Sequence, residues 1–399
     1  MYKILTNKSY SNGKELHNIE YLVENGQIGQ IGQIGQTGQT GQNIKKAPAA
    51  DSTTETFDLT NYHVMPGMID LHVHGAMGHD VMDATYEAIA AISSHKLKEG
   101  CTAFCPTTLT ASTDDTIKAI KNVRAAMDIG VDGAKIIGAF LEGPFINTKY
   151  RGAHVEKYVR EMDLTAATEF IQAGDGCVAS IAVAPEQPQA LSAIRAFKEM
   201  GVQVRLGHSA ATLEQAEQAV QAGANMAIHT FNAMSPFHHR EPGLVGAVFS
   251  NEKLIGELIC DLIHVHHSAC KALVNAKHGE GIALVTDCMA AGGLSDGEYK
   301  LGELNVKVVD GASRLADGSL AGSTTNMLTC LKHMHKNIHV PLAEASEMAT
   351  ATPAKALGIF NKIGSLDVGK SADIIAFDDD FNIVFVMVDG VVKINRLPC

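Results

Sequence analysis

A chain of 399 residues, 46% apolar and 19% charged, carries enough hydrophobic material for a large core and is not a disordered polymer. Its formal charge of −12 speaks against nucleic acid or an anionic membrane as the main partner. An anionic small substrate stays open, but it would need its own local Arg and His.

The N-terminus, Met1 to Asn7, moves straight into strand-like alternation without the apolar stretch of a leader. No uncharged apolar run approaches the roughly 20 residues that span a bilayer. The eight cysteines are scattered and form no pair of CxxC knuckles. They read as reduced core residues, which suits a reducing cytosol. A soluble, cytoplasmic protein is expected.

Residues 26–42 run through six Gly-Gln-X steps, the last ending the segment 26–43. The run has no proline and is too short for collagen, so a flexible expansion of a surface hairpin is expected. From Met68 onward a rhythm of apolar runs and helix-like stretches sets in. The runs fall near Met68–His74, Thr102–Pro106, Lys135–Leu141, Cys177–Ala182, Val202–Leu206, Asn225–His229, Leu254–Cys260 and Ile282–Thr286. Helical spacing lies between them, as in Thr212–Ala222 and Gln189–Met200. Continuous apolar runs alternating with helices imply buried parallel strands, and eight of them imply an α/β fold of the (β/α)8 TIM-barrel type over 63–361. The ends, 1–62 and 362–399, hold short alternating segments and an Asp389-Gly390 turn. They are expected to pair into a small β-sandwich domain.

Chemistry-bearing residues recur at the predicted strand ends. The first run ends in His72-Val73-His74, and positions i and i+2 of a strand share a face. The third ends in Glu142, the fifth in His208, the sixth contains His229 and the eighth ends in Asp287. Each alone reads as a packed histidine or a capping carboxylate. Five elements delivering such groups to the C-terminal face of a barrel read as a metal site, since that face builds the active site.

Glu142 in LEGP, His208 in GHSAAT, His229 in HTFNAM, Arg240 in HHREPG and Asp287 in VTD resemble the N-acetylglucosamine-6-phosphate deacetylases of the amidohydrolase superfamily. The match runs from about Pro66 to Ala354, and Gly364–Asp378 resembles the β-domain return of amidohydrolases. The resemblance implies that Glu142, His208 and His229 hold a divalent metal, zinc before iron, nickel, cobalt or manganese, with Asp287 as catalytic acid/base. It implies substrate contacts from His154, Asn232, Ala233, Arg240, His264 and the Leu320-Ala321-Gly322 turn. It also implies a homodimer in which Arg240 serves the neighbouring subunit. Arg240 is the expected phosphate partner on chemical grounds as well.

Well-known relatives replace H-x-H by Gln-x-Asn and bind one metal. Here His72 and His74 are intact, so a second ion shared with Glu142 and Asp287 is chemically available. Many amidohydrolases bridge two metals with a carbamylated lysine; at the fourth strand end this chain has Ala184-Pro185-Glu186, which leaves Glu142 as the bridge. The motifs resemble the N-acetylgalactosamine-6-phosphate deacetylases too, so the epimer stays open. The remaining rivals are another amidohydrolase and a silent metal-binding scaffold; the HREPG motif opposes the first and Asp287 the second.

Overall fold

The computed structural model describes residues 1–34 and 54–398. Each of the eight apolar runs became a barrel strand: Met68–Val73, Cys101–Thr108, Ala139–Leu141 with Lys135–Ile136 before it, Val178–Val183, Gln203–Leu206, Met226–Ala227, Ile255–Ile259 and Ile282–Val285. They pair in parallel in chain order. Closure comes from a parallel bridge between Val73 and Cys288, with the Asp287 N–H donating to the His72 carbonyl at 3.0 Å. The third run is broken at Gly138, whose φ of 126° no ordinary side chain favours.

The lack of polar alternation in these runs has a direct cause. One set of residues, including Ile69, Leu71, Phe140, Ile228 and Val285, fills the barrel interior. The alternate set, including Met68, Phe104 and Leu141, packs against the helices. Both faces are buried, so both are apolar. The helix Leu213–Ala222 starts at a reciprocal capping box between Thr212 and Gln215 and buries Ala216, Ala219 and Ala222.

The chain ends form one eight-stranded sheet. Its strands include Tyr2–Ser11, Lys14–Glu24 and, from the C-terminus, Ile374–Phe377, Ile383–Val388 and Val391–Asn395. The sheet curls until Gln27 bridges Ser371, so its halves enclose Ile4, Tyr21, Phe57, Phe385 and Met387 as the expected sandwich core. Asp389 and Gly390, with φ of 47° and 73°, make the expected tight turn. The strand His63–Pro66 also belongs to this sheet, pairing with Ile374–Phe377, so the barrel begins at Met68 rather than at 63.

Two expectations need correction. The Gly-Gln-X run is not a flexible expansion from its start, because Gln27–Gln33 is a strand paired with Lys14–Glu24. A register shift between Leu22 and Val23 sets Ile28 opposite Val23 and Ile31 opposite Tyr21. That bulge puts both isoleucines of a three-residue repeat on the core side, with Ile28 fully buried. The rest of the run, 35–43, lies outside the described residues. The second is an omission. A three-stranded antiparallel sheet, Gly297–Leu301, Leu304–Val309 and Ala312–Arg314, follows the eighth barrel strand. Leu301, Val306 and Val308 pack it on Leu109, Met289 and Ala321 above the barrel mouth.

Candidate metal centre

The strand-end residues converge. Glu142 Oε1 lies 3.1 Å from both His208 Nε2 and His229 Nε2, which are themselves 3.1 Å apart. Glu142 Oε2 faces the other way, 2.9 Å from His74 Nε2 and 3.3 Å from His72 Nε2. Asp287 Oδ1 completes that second group at 3.4 Å from His72 Nε2 and 3.3 Å from His74 Nε2. Glu142 thus turns one oxygen to each group.

The proton positions decide what these groups are for. His208 Nδ1 donates to the Tyr150 carbonyl at 2.8 Å and His229 Nδ1 to the Asn232 carbonyl at 3.1 Å. A carbonyl only accepts, so each neutral ring keeps its lone pair on Nε2. Two such lone pairs and a carboxylate oxygen then meet with no proton between them, which is repulsive unless a cation sits there. Tetrahedral ligands about 2.0–2.1 Å from a zinc-sized ion stand about 3.4 Å apart, close to the spacings found. Asp287 Oδ1 is likewise buried without a hydrogen-bond donor. The donor set fits a divalent metal.

His154 is also near, its Nε2 lying 3.3 Å from His208 Nε2. Its Nδ1, however, accepts the Thr110 N–H at 3.3 Å, so the ring proton is on Nε2. That makes His154 a donor toward the cavity rather than a ligand. Burial and the neighbouring His208 hold it well below the usual histidine range, hence neutral. Gly143 permits this corner: a methyl group on it would fall 1.9 Å from Thr110 Oγ1.

Electrostatics follow the same geometry. Burial opposes the charge on Glu142, but His72 beside it and the imidazoles of His208 and His229 packed against it pull its carboxyl well below the ordinary value. Asp287 is also fully buried, yet His72 and His74 bring it down to about 2. Conversely, Glu142 and Asp287 lift His72 well above 6.5 and His74 to about 9 against the cost of burial. Backbone strain sits at the same residues. His208, His229 and Asp287 hold φ of 44°, 29° and 51°, a region costing a non-glycine residue on the order of 1–3 kcal/mol.

The groups open on a cavity of about 300 Å³ lined by His74, Glu142, His154, His208, His229 and Asp287, and farther out by Asn232, Ala233, His264, Leu320 and Gly322. His264 donates Nδ1–H to Asp261 at 2.7 Å. Burial disfavours its charge, but Asp261 raises it above 6.5, so its outer face is cationic at mildly acidic pH. Two of the expected contacts lie elsewhere. Ala321 is fully buried and turned into the packing under the added sheet. Arg240 is on an exposed turn beside His239 and does not line the cavity, which contains no Lys or Arg among its described lining residues. A larger cavity of about 600 Å³ lies next door under the three-stranded sheet and contains none of these histidines.

Sequence reasoning missed the supporting residues. Glu186, at the fourth strand end, accepts from Asn147, Ser209 and the Ala210 N–H, tying the loops around Glu142 and His208. Glu257 and Arg205 sit fully buried beneath His72, and Asp261 orients His264. For Arg205 and Glu257 the one sequence signal was a charged residue inside an apolar strand run; Glu186 and Asp261 follow their strands in the loops.

Residues 63–393 match the model of the amidohydrolase family. N-acetylglucosamine-6-phosphate deacetylase of Vibrio furnissii is 41% identical over 82% of each chain. N-acetylgalactosamine-6-phosphate deacetylase of Escherichia coli O157:H7 is 38% identical over 82% of this chain and 86% of its own. Among solved structures, a mutant N-acetylglucosamine-6-phosphate deacetylase of Mycobacterium smegmatis in complex with N-acetylglucosamine 6-phosphate superposes with a TM-score of 0.89 at 29% identity, over 99% of each chain. The Pasteurella multocida enzyme gives 0.90 at 28% identity, over 99% of this chain and 100% of its own. The chain is an amide-bond hydrolase of the amidohydrolase family, within its N-acetylhexosamine-6-phosphate deacetylase branch.

Proposed function

We propose that this enzyme hydrolyses the acetamide of N-acetyl-D-glucosamine 6-phosphate to acetate and D-glucosamine 6-phosphate, using a divalent metal held by Glu142, His208 and His229. The observation that carries the reading is the meeting of two unprotonated imidazole nitrogens and a carboxylate at 3.1 Å, with Asp287 and the His154 N–H facing the same cavity. A bound metal, zinc by donor type, supplies acidification of water and polarisation of the amide carbonyl.

The rest is done by side chains. Asp287, held ionised by His72 and His74, takes a proton from the attacking water. The water oxygen bonds to the carbonyl carbon, and the His154 Nε2–H donates to the oxygen that gains charge. When the C–N bond breaks, Asp287 returns the proton to the leaving amine. Asn232, Ala233, His264, Leu320 and Gly322 hold the sugar and its phosphate, so that remote binding places the amide.

The lack of Lys and Arg among the described lining residues of the cavity supports a homodimer. A phosphate calls for a guanidinium, and Arg240 stands exposed and uncommitted to its own chain's cavity. A second copy supplies it in this reading. The seven described cysteines are free and buried, and no described helix is long and apolar enough to cross a membrane, which supports a cytoplasmic site of action.

Acetate release tests the substrate. N-acetylglucosamine 6-phosphate should turn over faster than its galactosamine epimer and far faster than the unphosphorylated sugar. A preference for the galactosamine ester would move the enzyme to the other specificity of its branch; equal rates with and without phosphate would refute the phosphate reading.

A further inference from the structure

Beneath His72 the barrel interior holds a buried ion pair that the reaction just described does not use. Glu257 and Arg205, on the seventh and fifth strands, are both completely buried. Arg205 Nη1 donates to Glu257 Oε1 at 2.7 Å and to the Leu71 carbonyl at 2.9 Å. Its guanidinium lies 3.9 Å over the face of Phe140, whose edge region meets His72 at a centroid distance of 5.0 Å and 89°. The other carboxylate oxygen, Glu257 Oε2, faces His72 Nδ1 at 3.2 Å and accepts the His229 N–H at 3.4 Å.

Burying such a pair is costly, and an apolar pair of equal volume commonly does as well or better for stability. Its value lies in what Glu257 does to the ring above it. We propose that the Glu257–Arg205 pair is a positioning device for His72: by accepting the hydrogen bond of Nδ1–H, Glu257 keeps the proton on that nitrogen, fixes the Nε2 lone pair toward His74, Glu142 Oε2 and Asp287 and so makes the second group a working metal site. Arg205 keeps Glu257 ionised and in place, and Phe140 holds both planes. The same carboxylate also fixes the backbone of His229, a member of the first group, so one buried side chain spans both groups. This inference rests on the metal-dependent reading above and deepens it from one ion to two.

The test is metal content, independent of turnover. Purified protein is stripped, reloaded with zinc, and titrated by calorimetry and elemental analysis beside Glu257→Gln, whose side chain has the same shape but no charge. Wild type should bind two ions per chain. In Glu257→Gln the weaker ion should lose about 10- to 100-fold in affinity, as for other orienting partners of metal-bound histidines, while the tighter ion stays. Equal affinity for both ions in the variant would overturn the proposal, as would a wild type that binds only one. A wild type that binds none would instead refute the metal-dependent reading itself. Should the variant fail to fold, nitrogen-15 spectra of histidine in the zinc-loaded wild type give the answer directly. His72 must carry its proton on Nδ1; a proton on Nε2 contradicts the proposal.

Discussion

Replacing Asp287 by Asn keeps the shape of the side chain and removes its ability to take and return a proton. The carboxylate lies 3.3–3.4 Å from two imidazole nitrogens, with Oδ1 lacking any hydrogen-bond donor and the carboxyl held down at about 2. At neutral pH it is therefore always ionised and available as a base. General acid–base catalysis contributes about 10²–10⁴ in rate. Because one carboxylate serves both water activation and amine departure, kcat should fall toward the upper end, about 10⁴-fold or 5 kcal/mol. The assay is acetate release at saturating N-acetylglucosamine 6-phosphate, with metal content measured in parallel. The ion of the Glu142–His208–His229 group should remain, since Asp287 is not among its ligands. Activity within tenfold of wild type would refute the acid/base role. Loss of that first ion would show that Asp287 acts by holding the metal instead.

Removing the His154 donor, as in His154→Ala, should lower kcat by about 10²–10³ with little change in metal content, measured by steady-state kinetics and elemental analysis. Arg240→Ala should raise KM for phosphorylated sugars far more than for unphosphorylated ones. Mixed with an Asp287→Asn chain, it should regain part of its activity through hybrid dimers if Arg240 serves the other subunit. The metal-free protein should lose stability as pH rises from 6.5 to 9. His74 titrates near 9 when folded and near 6.5 when unfolded, so the folded state retains a proton that the unfolded chain has released. The contribution is complete below 6.5 and at most about 3 kcal/mol. With metal bound the trend should reverse, because the ion displaces those protons; denaturant unfolding at several pH values reads both slopes.

The barrel was legible because its strands are buried on both faces, which leaves an unbroken apolar run as a trace. The residues that converge at the barrel mouth were legible because each lies at the end of such a run or just past it, and His72 and His74 share a face by simple alternation; their Nε2 atoms lie 3.3 Å apart. What escaped was whatever depends on a partner from a distant element. Glu257 reads as a lone carboxylate in Ile255–Ile259 until His72 and Arg205 are brought to it from strands one and five. The three-stranded sheet after Ile282–Val285 follows no barrel rhythm; its own period of two, with Val306 and Val308 buried between exposed Asn305, Lys307 and Val309, was a readable strand signal that the barrel pattern overshadowed. The glycine-rich run misled because its repeat of three does not match the strand's period of two, and a bulge reconciles them. Arg240 shows the opposite limit. Its chemistry was readable, but the single chain leaves it outside the cavity it is expected to serve.

The most direct measurement is acetate release from N-acetylglucosamine 6-phosphate by one preparation before chelation, after chelation and after return of zinc. Activity should disappear with the metal and come back with it. Full turnover by the verified metal-free enzyme would contradict the account.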